Sequence, residues 1–178
     1  MFTSRSFNEI QRDYFGKVVI QGAQEADLLV SELARSDDPI GIVGHSTGGF
    51  ISAGAFSSNP RLQASIVING SFAWVKAEEL FREKDGRSPM TSSERSSLED
   101  HDPMSHLKLD NSKGLLLLHG KEDATIPIDS QRYFMNKMSQ SNIPSDTLKF
   151  VEYSNVNHQI TVGMLEKSKE WLDKNLCN

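Results

Sequence analysis

At 178 residues, with 37% hydrophobic residues and a net charge of −5, the chain has the length of one domain able to bury a useful core. The mildly acidic balance, without a basic stripe interleaved with aromatics, argues against a nucleic-acid partner, and no apolar run approaches the roughly 20 residues that cross a bilayer. The single cysteine, Cys177, cannot form an internal disulfide, and Met1 to Arg12 is polar and mixed in charge, unlike a secretory signal, so a reducing cytoplasm is the expected compartment.

In chain order, the recurrence of Phe7, Ile10, Tyr14, Val18, Leu29 and Leu33 predicts one helix from about Ser6 to Ala34, weakened by Gly16 and Gly22. Pro39 to Val43 reads as a strand and Phe50 to Phe56 as a small-residue helix. Between them lies Gly44-His45-Ser46-Thr47-Gly48-Gly49. A serine on a sharp strand-to-helix turn has its hydroxyl lifted above the sheet and needs small neighbours, here Gly44 and Gly48. The turn also aims the first amides of the helix, Thr47 foremost, at the space where an oxyanion develops during acyl transfer. Ser46 is therefore the candidate nucleophile and the Thr47 N–H the candidate oxyanion donor. A dinucleotide-binding loop would need glycine where Ser46 stands and an acidic residue after the next strand, where Asn69 and Gly70 stand instead. No Gly-Lys-Ser/Thr is present for a phosphate loop. The plain alternative is a glycine-rich turn with an incidental serine.

Asn59-Pro60 breaks the chain, and Leu62 to Asn69 forms the next strand. From Ser71 to Ser112 the sequence turns charged and poor in apolar residues. Phe72 and Trp74, just past a strand end, suit either the lining of an acyl or leaving-group pocket or the packing of this segment onto the body. Gly114 to Leu118 reads as a buried parallel strand that empties into His119-Gly120-Lys121-Glu122-Asp123-Ala124-Thr125-Ile126-Pro127. A helix follows from Asp129, read as its N-cap, to Met138, with Tyr133, Phe134 and Met138 toward the sheet. Thr147 to Tyr153 alternates as a strand, and Ser154 to His158 forms a loop. The last helix, Thr161 to Leu176, carries Leu165, Leu172 and Leu176 on one stripe with Trp171 beside it.

Serine, acid and histidine thus arrive in that order, each at a strand's C-terminal end. A serine hydroxyl needs an imidazole to take its proton, and the imidazole needs a carboxylate to fix its tautomer. The assignment is Ser46 as nucleophile, His158 as general acid/base and Asp123 as orienting acid, with Glu122 the nearest competitor for the acid role. His119 is expected to be a packed, hydrogen-bonded core residue, and His45 to pack beneath the elbow. His101 and His106 are not spaced to share a helical face, and no further His or Cys cluster supports a site, so neither metal nor cofactor is expected.

The elbow Gly44 to Gly49, the acid loop His119 to Pro127 and the pair Asn157-His158 resemble the α/β-hydrolase superfamily, and within it the compact bacterial esterases and peptidase-like hydrolases of the prolyl-oligopeptidase and dienelactone-hydrolase branches. Asp102-Pro103-Met104-Ser105-His106-Leu107 is similar to the short Asp-Pro segment that precedes the acid-bearing strand in these proteins. The resemblance runs from about Phe15 onward and implies that residues 71–112 form a lid. It also implies that the helix before Ile40 is the one preceding the nucleophile strand, because only thirty-nine residues stand where relatives have four strands and a helix.

The expected fold is a truncated α/β-hydrolase: one domain over residues 1–178, with a mostly parallel sheet of about four strands flanked by helices. The nucleophile strand then becomes an edge, and the usual second oxyanion donor is missing. Two copies are expected to associate as a homodimer near that edge; if the chain is a truncated product, such association is accidental. The expected function is that of a serine hydrolase cleaving a small carboxylic ester, thioester or amide through an acyl-enzyme. The alternative is an impaired remnant serving as a binding or assembly module.

Overall fold

A computed structural model describes residues 7–33, 38–141, 143–144 and 146–177, with side chains from Tyr14 onward. Helix α1 spans Phe7–Leu33, running through Gly16 and Gly22. The expected ends Ser6 and Ala34, and the side chains of Phe7 and Ile10, lie outside the described residues. Strand β1 (Ile40–His45) leads into α2 (Thr47–Ser58) and then β2 (Leu62–Ile68). Three helices follow: α3 (Trp74–Asp85), α4 (Ser92–Glu99) and the short α5 (Pro103–His106). The chain closes with β3 (Gly114–Gly120), α6 (Asp129–Met138), β4 (Leu148–Tyr153) and α7 (Val162–Leu176).

The four strands pair in chain order, β1-β2-β3-β4, and every pair is parallel. Parallel neighbours require crossovers, and right-handed crossovers in one direction put the connecting helices on one face. Alternation along the strands then sorts the core into two layers. Val67, Leu115 and Leu117 meet Ala53 and Phe56 of α2 and Phe134 of α6, while Ile66, Ile68, Leu116 and Leu118 meet Met164 and Trp171 of α7. Both faces are covered, so β2 from Ile66 to Ile68 and β3 from Leu115 to Leu118 are continuously apolar. Strand β1 is one edge of this sheet, and its Val43 is half exposed.

A third cluster joins α1 to α2, α3 and α4 through Val19, Ala23, Phe50, Trp74, Ala77 and Leu98. The contact between α1 and α2 is close, since a Cβ at Gly22 would lie 2.6 Å from Ile51 Cδ1. Between β2 and β3 a single carboxylate organises the turn: Asp102 accepts from the Met104 amide at 3.0 Å, capping α5, and from the Val75 amide at 2.9 Å in the first turn of α3. Burial pushes its carboxyl up, against the pull of those amides. Helix α4 starts on a reciprocal cap in which Thr91 and Glu94 each bond the other's backbone N–H.

Two expectations about helix faces and one about a helix cap need correction. Tyr133 does not face the sheet; it is 36% exposed, while its neighbour Phe134 is fully buried. Leu165 is also exposed, because the inner stripe of α7 is Met164, Ser168 and Trp171. Asp129 is not the N-cap of α6; Ile128 is, and Asp129 pairs with Arg132 in the first turn instead. Phe134→Ala is accordingly expected to destabilise the fold by about 3–5 kcal/mol in a urea titration, and Tyr133→Ala by less than about 1 kcal/mol; comparable losses would show that α6 is rotated from this register.

Candidate active site

Three loops at the C-terminal rim of the sheet converge. Each of the three described non-glycine residues with positive φ stands just past a strand's end there: Ser46 (φ 58°) after β1, Asn69 (46°) after β2 and Asn155 (60°) after β4. Such a backbone is disfavoured by about 1–3 kcal/mol and persists only where neighbours enforce it. At Ser46 its N–H donates to Ile68 O at 3.0 Å, and its carbonyl accepts from the Gly49 and Phe50 amides as α2 begins. Gly44 is needed for this turn, since a Cβ there would lie 1.9 Å from Gly48 O. Gly48 is not needed in the same way: a Cβ there meets nothing within 4 Å. Gly44→Ala is expected to abolish the soluble folded state and Gly48→Ala to retain it, with circular dichroism and thermal melting as the check.

The turn lifts Ser46 Oγ to 2.8 Å from His158 Nε2. On its other side His158 Nδ1 lies 2.8 Å from Asp123 Oδ2. The remaining oxygen, Asp123 Oδ1, accepts from the Thr125 and Ile126 amides, each at 2.8 Å. The Asp123 carboxylate has no exposed surface, and His119 Nε2 stands 3.4 Å from Oδ2 as a further donor. Burial alone would raise this carboxyl, but the donors from His119, His158, Ile126 and Thr125 outweigh it and hold it well below the usual carboxylate range.

A carboxyl lowered on folding stabilises the fold fully above its ordinary pKa of 3.8, and that contribution is lost as pH falls from there through the depressed value. Asp123→Asn should therefore destabilise the protein by about 1–3 kcal/mol at neutral pH, with the gap to the unmodified chain closing in denaturation curves taken progressively below pH 3.8.

The acid and histidine loops are zipped together. The Lys121 amide donates to Tyr153 O, and the Glu122 amide to Val156 O. Glu122 Oε2 accepts from the Val156 amide at 3.0 Å, so this competitor for the acid role braces the histidine loop and makes no bond to His158. Asn157 Oδ1 accepts from both the Ala124 and His158 amides, at 2.9 and 2.8 Å. The loops approach so closely that a Cβ at Gly120 would lie 2.3 Å from Val156 O.

Asn69, which sequence reasoning left without a role, ties three rim segments. It accepts from the Gly120 amide at 3.0 Å, donates to Gln159 O at 3.3 Å, and stands 3.4 Å from His45 Nε2. The positive φ that permits this is the kind asparagine adopts more readily than most residues, which was the available signal. The His45 ring lies 4.9 Å from that of His158, and burial, followed by the proximity of His158, lowers its imidazole.

Above Ser46 opens a cavity of about 330 Å³. Phe15 of α1, Phe81 of α3, Thr47 and Ile126 line it with Ser46, and Glu78, Lys84, Asp85 and Arg87 add charged groups from α3 and the turn after it. Glu78 accepts from Arg82 at 2.6 Å and from Arg87 at 3.1 Å, and Lys84 bonds the Ala124 carbonyl on the acid loop.

Phe72 and Trp74 are not in this cavity. Phe72 is fully buried between Phe56 and Phe134, and Trp74 packs among Val19, Ala23 and Phe50 and borders a separate cleft beside α1. The segment after β2 turns these two rings into the body and sends Phe81, two turns into α3, back over the serine. Among the described residues no group of three or more His, Cys, Asp or Glu is disposed to hold a metal, and no helix is long and apolar enough to cross a membrane.

A hydroxyl, an imidazole and a buried carboxylate in this chain of bonds can move a proton from oxygen to nitrogen and return it. Among solved structures, the chain is similar to a Mycobacterium tuberculosis puromycin-hydrolyzing peptidase, at 20% identity and a TM-score of 0.65, covering 91% of this chain and 26% of that one. It is similar also to acetyl xylan esterase 1 of a Thermoanaerobacterium species, at 17% identity and a TM-score of 0.62, covering 88% and 52%. A third likeness is to a Pyrococcus horikoshii acylaminoacyl peptidase, at 18% identity and a TM-score of 0.62, covering 85% and 26%. The chain thus spans between about a quarter and a half of these proteins' lengths. No curated protein matches the sequence. The sequence itself matches the prolyl oligopeptidase family over residues 2–176, and the chain belongs to that family.

Proposed function

We propose that this chain is a serine hydrolase that cleaves a small carboxylic ester, or a related thioester or amide, through an acyl-enzyme. The observation that carries the reading is the continuous hydrogen-bonded path from Ser46 Oγ through His158 to Asp123, with both links at 2.8 Å. In the proposed reaction Ser46 Oγ attacks the substrate carbonyl while His158 Nε2 takes its proton. Asp123 holds the Nδ1–H and steadies the imidazolium. Thr47 is the first residue of α2, where backbone amides have no intrahelical acceptor, and its N–H is proposed as the donor to the developing oxyanion. Collapse expels the leaving group with the proton from His158. Water, activated by the same imidazole, then attacks the acyl carbon and frees Ser46.

Membership of the prolyl oligopeptidase family and likeness to proteins named as peptidases and as an esterase support this reading. The apolar side of the cavity, with Phe15, Phe81 and Ile126, suits a compact acyl or leaving group, and residues 71–112, which bring Glu78 and Phe81 of α3 to it, are proposed to act as the lid.

The test is labelling by a fluorophosphonate probe together with hydrolysis of p-nitrophenyl acetate. Labelling is expected in the unmodified chain and none in Ser46→Ala, with turnover reduced on the order of 10³-fold or more in His158→Ala. Labelling that survives Ser46→Ala would overturn the assignment, and labelling without turnover would favour a binding or assembly module.

A further inference from the structure

We propose that His119 is a positioning residue for the reaction above, clamping the Asp123 carboxylate and the Ile126 peptide together so that the carboxylate stays aimed at His158. This rests on the serine-hydrolase reading for its catalytic consequence, and on geometry alone for the clamp.

His119 ends the apolar run Leu115 to Leu118 of β3 and is fully buried. Space-filling alone would be served there by a fifth apolar side chain, since a buried polar ring is unfavourable unless it is bonded. Its Nε2 lies 3.1 Å from Ile126 O and 3.4 Å from Asp123 Oδ2, two acceptors. Its Nδ1 is buried and has no partner among the described residues. An N–H on Nδ1 would be buried without an acceptor, so the ring carries a proton on Nε2, bonded to the Ile126 carbonyl with Asp123 Oδ2 just beyond it.

Ile126 is used twice, because its carbonyl receives His119 while its N–H donates to Asp123 Oδ1. Ring, peptide and carboxylate therefore close a cycle that spans the whole acid turn. Within it, Asp123 Oδ2 receives the His158 Nδ1–H at the shorter distance and the His119 Nε2–H at the longer one.

The other titratable groups around the pair are accounted for. His45 of β1 faces the His158 ring and neighbours Asn69. Glu152, the register partner of His119 on β4, is held by Arg132 at 2.9 Å, and Glu122 is bonded to the Val156 amide. None of them bonds an Asp123 oxygen, so His119 is the side chain through which β3 reaches the carboxylate.

The experiment compares the full chain with His119→Phe and His119→Gln, the glutamine placing an N–H near the position of Nε2. In His119→Phe the carboxylate is no longer held toward His158, so the acid limb of the kcat/KM profile for p-nitrophenyl acetate is expected to move to lower pH by about half to one unit, the equivalent of one weakened hydrogen bond, and in His119→Gln to stay near the unmodified position. A merely structural role would lower the melting temperature and leave the limb in place, which overturns the proposal, as does a limb in His119→Gln that matches His119→Phe.

Nitrogen-15 spectra of the unmodified protein give a reading that needs neither variant nor turnover. They should place the His119 proton on Nε2, and a proton on Nδ1 refutes the clamp even if the phenylalanine variant does not fold. If no ester is hydrolysed at all, the proposed function fails, while the His119 tautomer and the pH titration of the His158 ring signals still decide the clamp.

Discussion

A carboxylate sealed from water has to be met by donors, and Asp123 imposes that demand on everything around it. Its two oxygens draw on the backbone of its own turn, on His158 from the loop after β4 and on His119 from β3. Satisfying it therefore fixes three segments at once. The zipper between the acid and histidine loops continues the same pairing, with Asn157 accepting from the Ala124 and His158 amides and Glu122 from the Val156 amide.

The sheet supplies the setting. Because all four strands point the same way, everything that follows a strand emerges on one rim, and residues more than a hundred positions apart in sequence become neighbours. The rim is also where backbone strain gathers, at Ser46, Asn69 and Asn155. Strain at this half-buried serine is tolerable because the Ile68 carbonyl holds its N–H and the first amides of α2 hold its carbonyl, leaving the hydroxyl as the part of the residue free to reach the imidazole.

Much of this was legible in the chain. The four strands and the main helices follow from apolar runs and turn residues, because burial on both faces of β2 and β3 leaves a signal that does not depend on distant partners. Ser46, Asp123 and His158 could be singled out because each sits just past a strand, and a parallel sheet converts that sequence position into spatial convergence. What escaped is what depends on rotation and distance. Tyr133 and Phe134 are adjacent aromatics, and only the packing of α6 decides which one turns inward. Phe72 and Trp74 stand at the right place in the chain to wall a pocket, yet the turn capped by Asp102 directs them into the body and leaves the role to Phe15 and Phe81. His119 is the packed, hydrogen-bonded residue its place in the strand suggests, but no local pattern records which oxygens it meets, and Asn69 gives no sign of its bond to Gln159.

The order in which the strands pair carries one more consequence. Each strand after the first lies against the one made just before it, so no segment has to wait for a later one before finding its place in the sheet. Such a chain can be laid down from its amino end during synthesis, one strand and its helices at a time. Only the assembly of the rim breaks this progression, because Ser46, made early, stays without its imidazole until the final loop arrives. Chemistry is thereby deferred until the last strand and the loop after it are made, with α7 still to close the second face of the sheet.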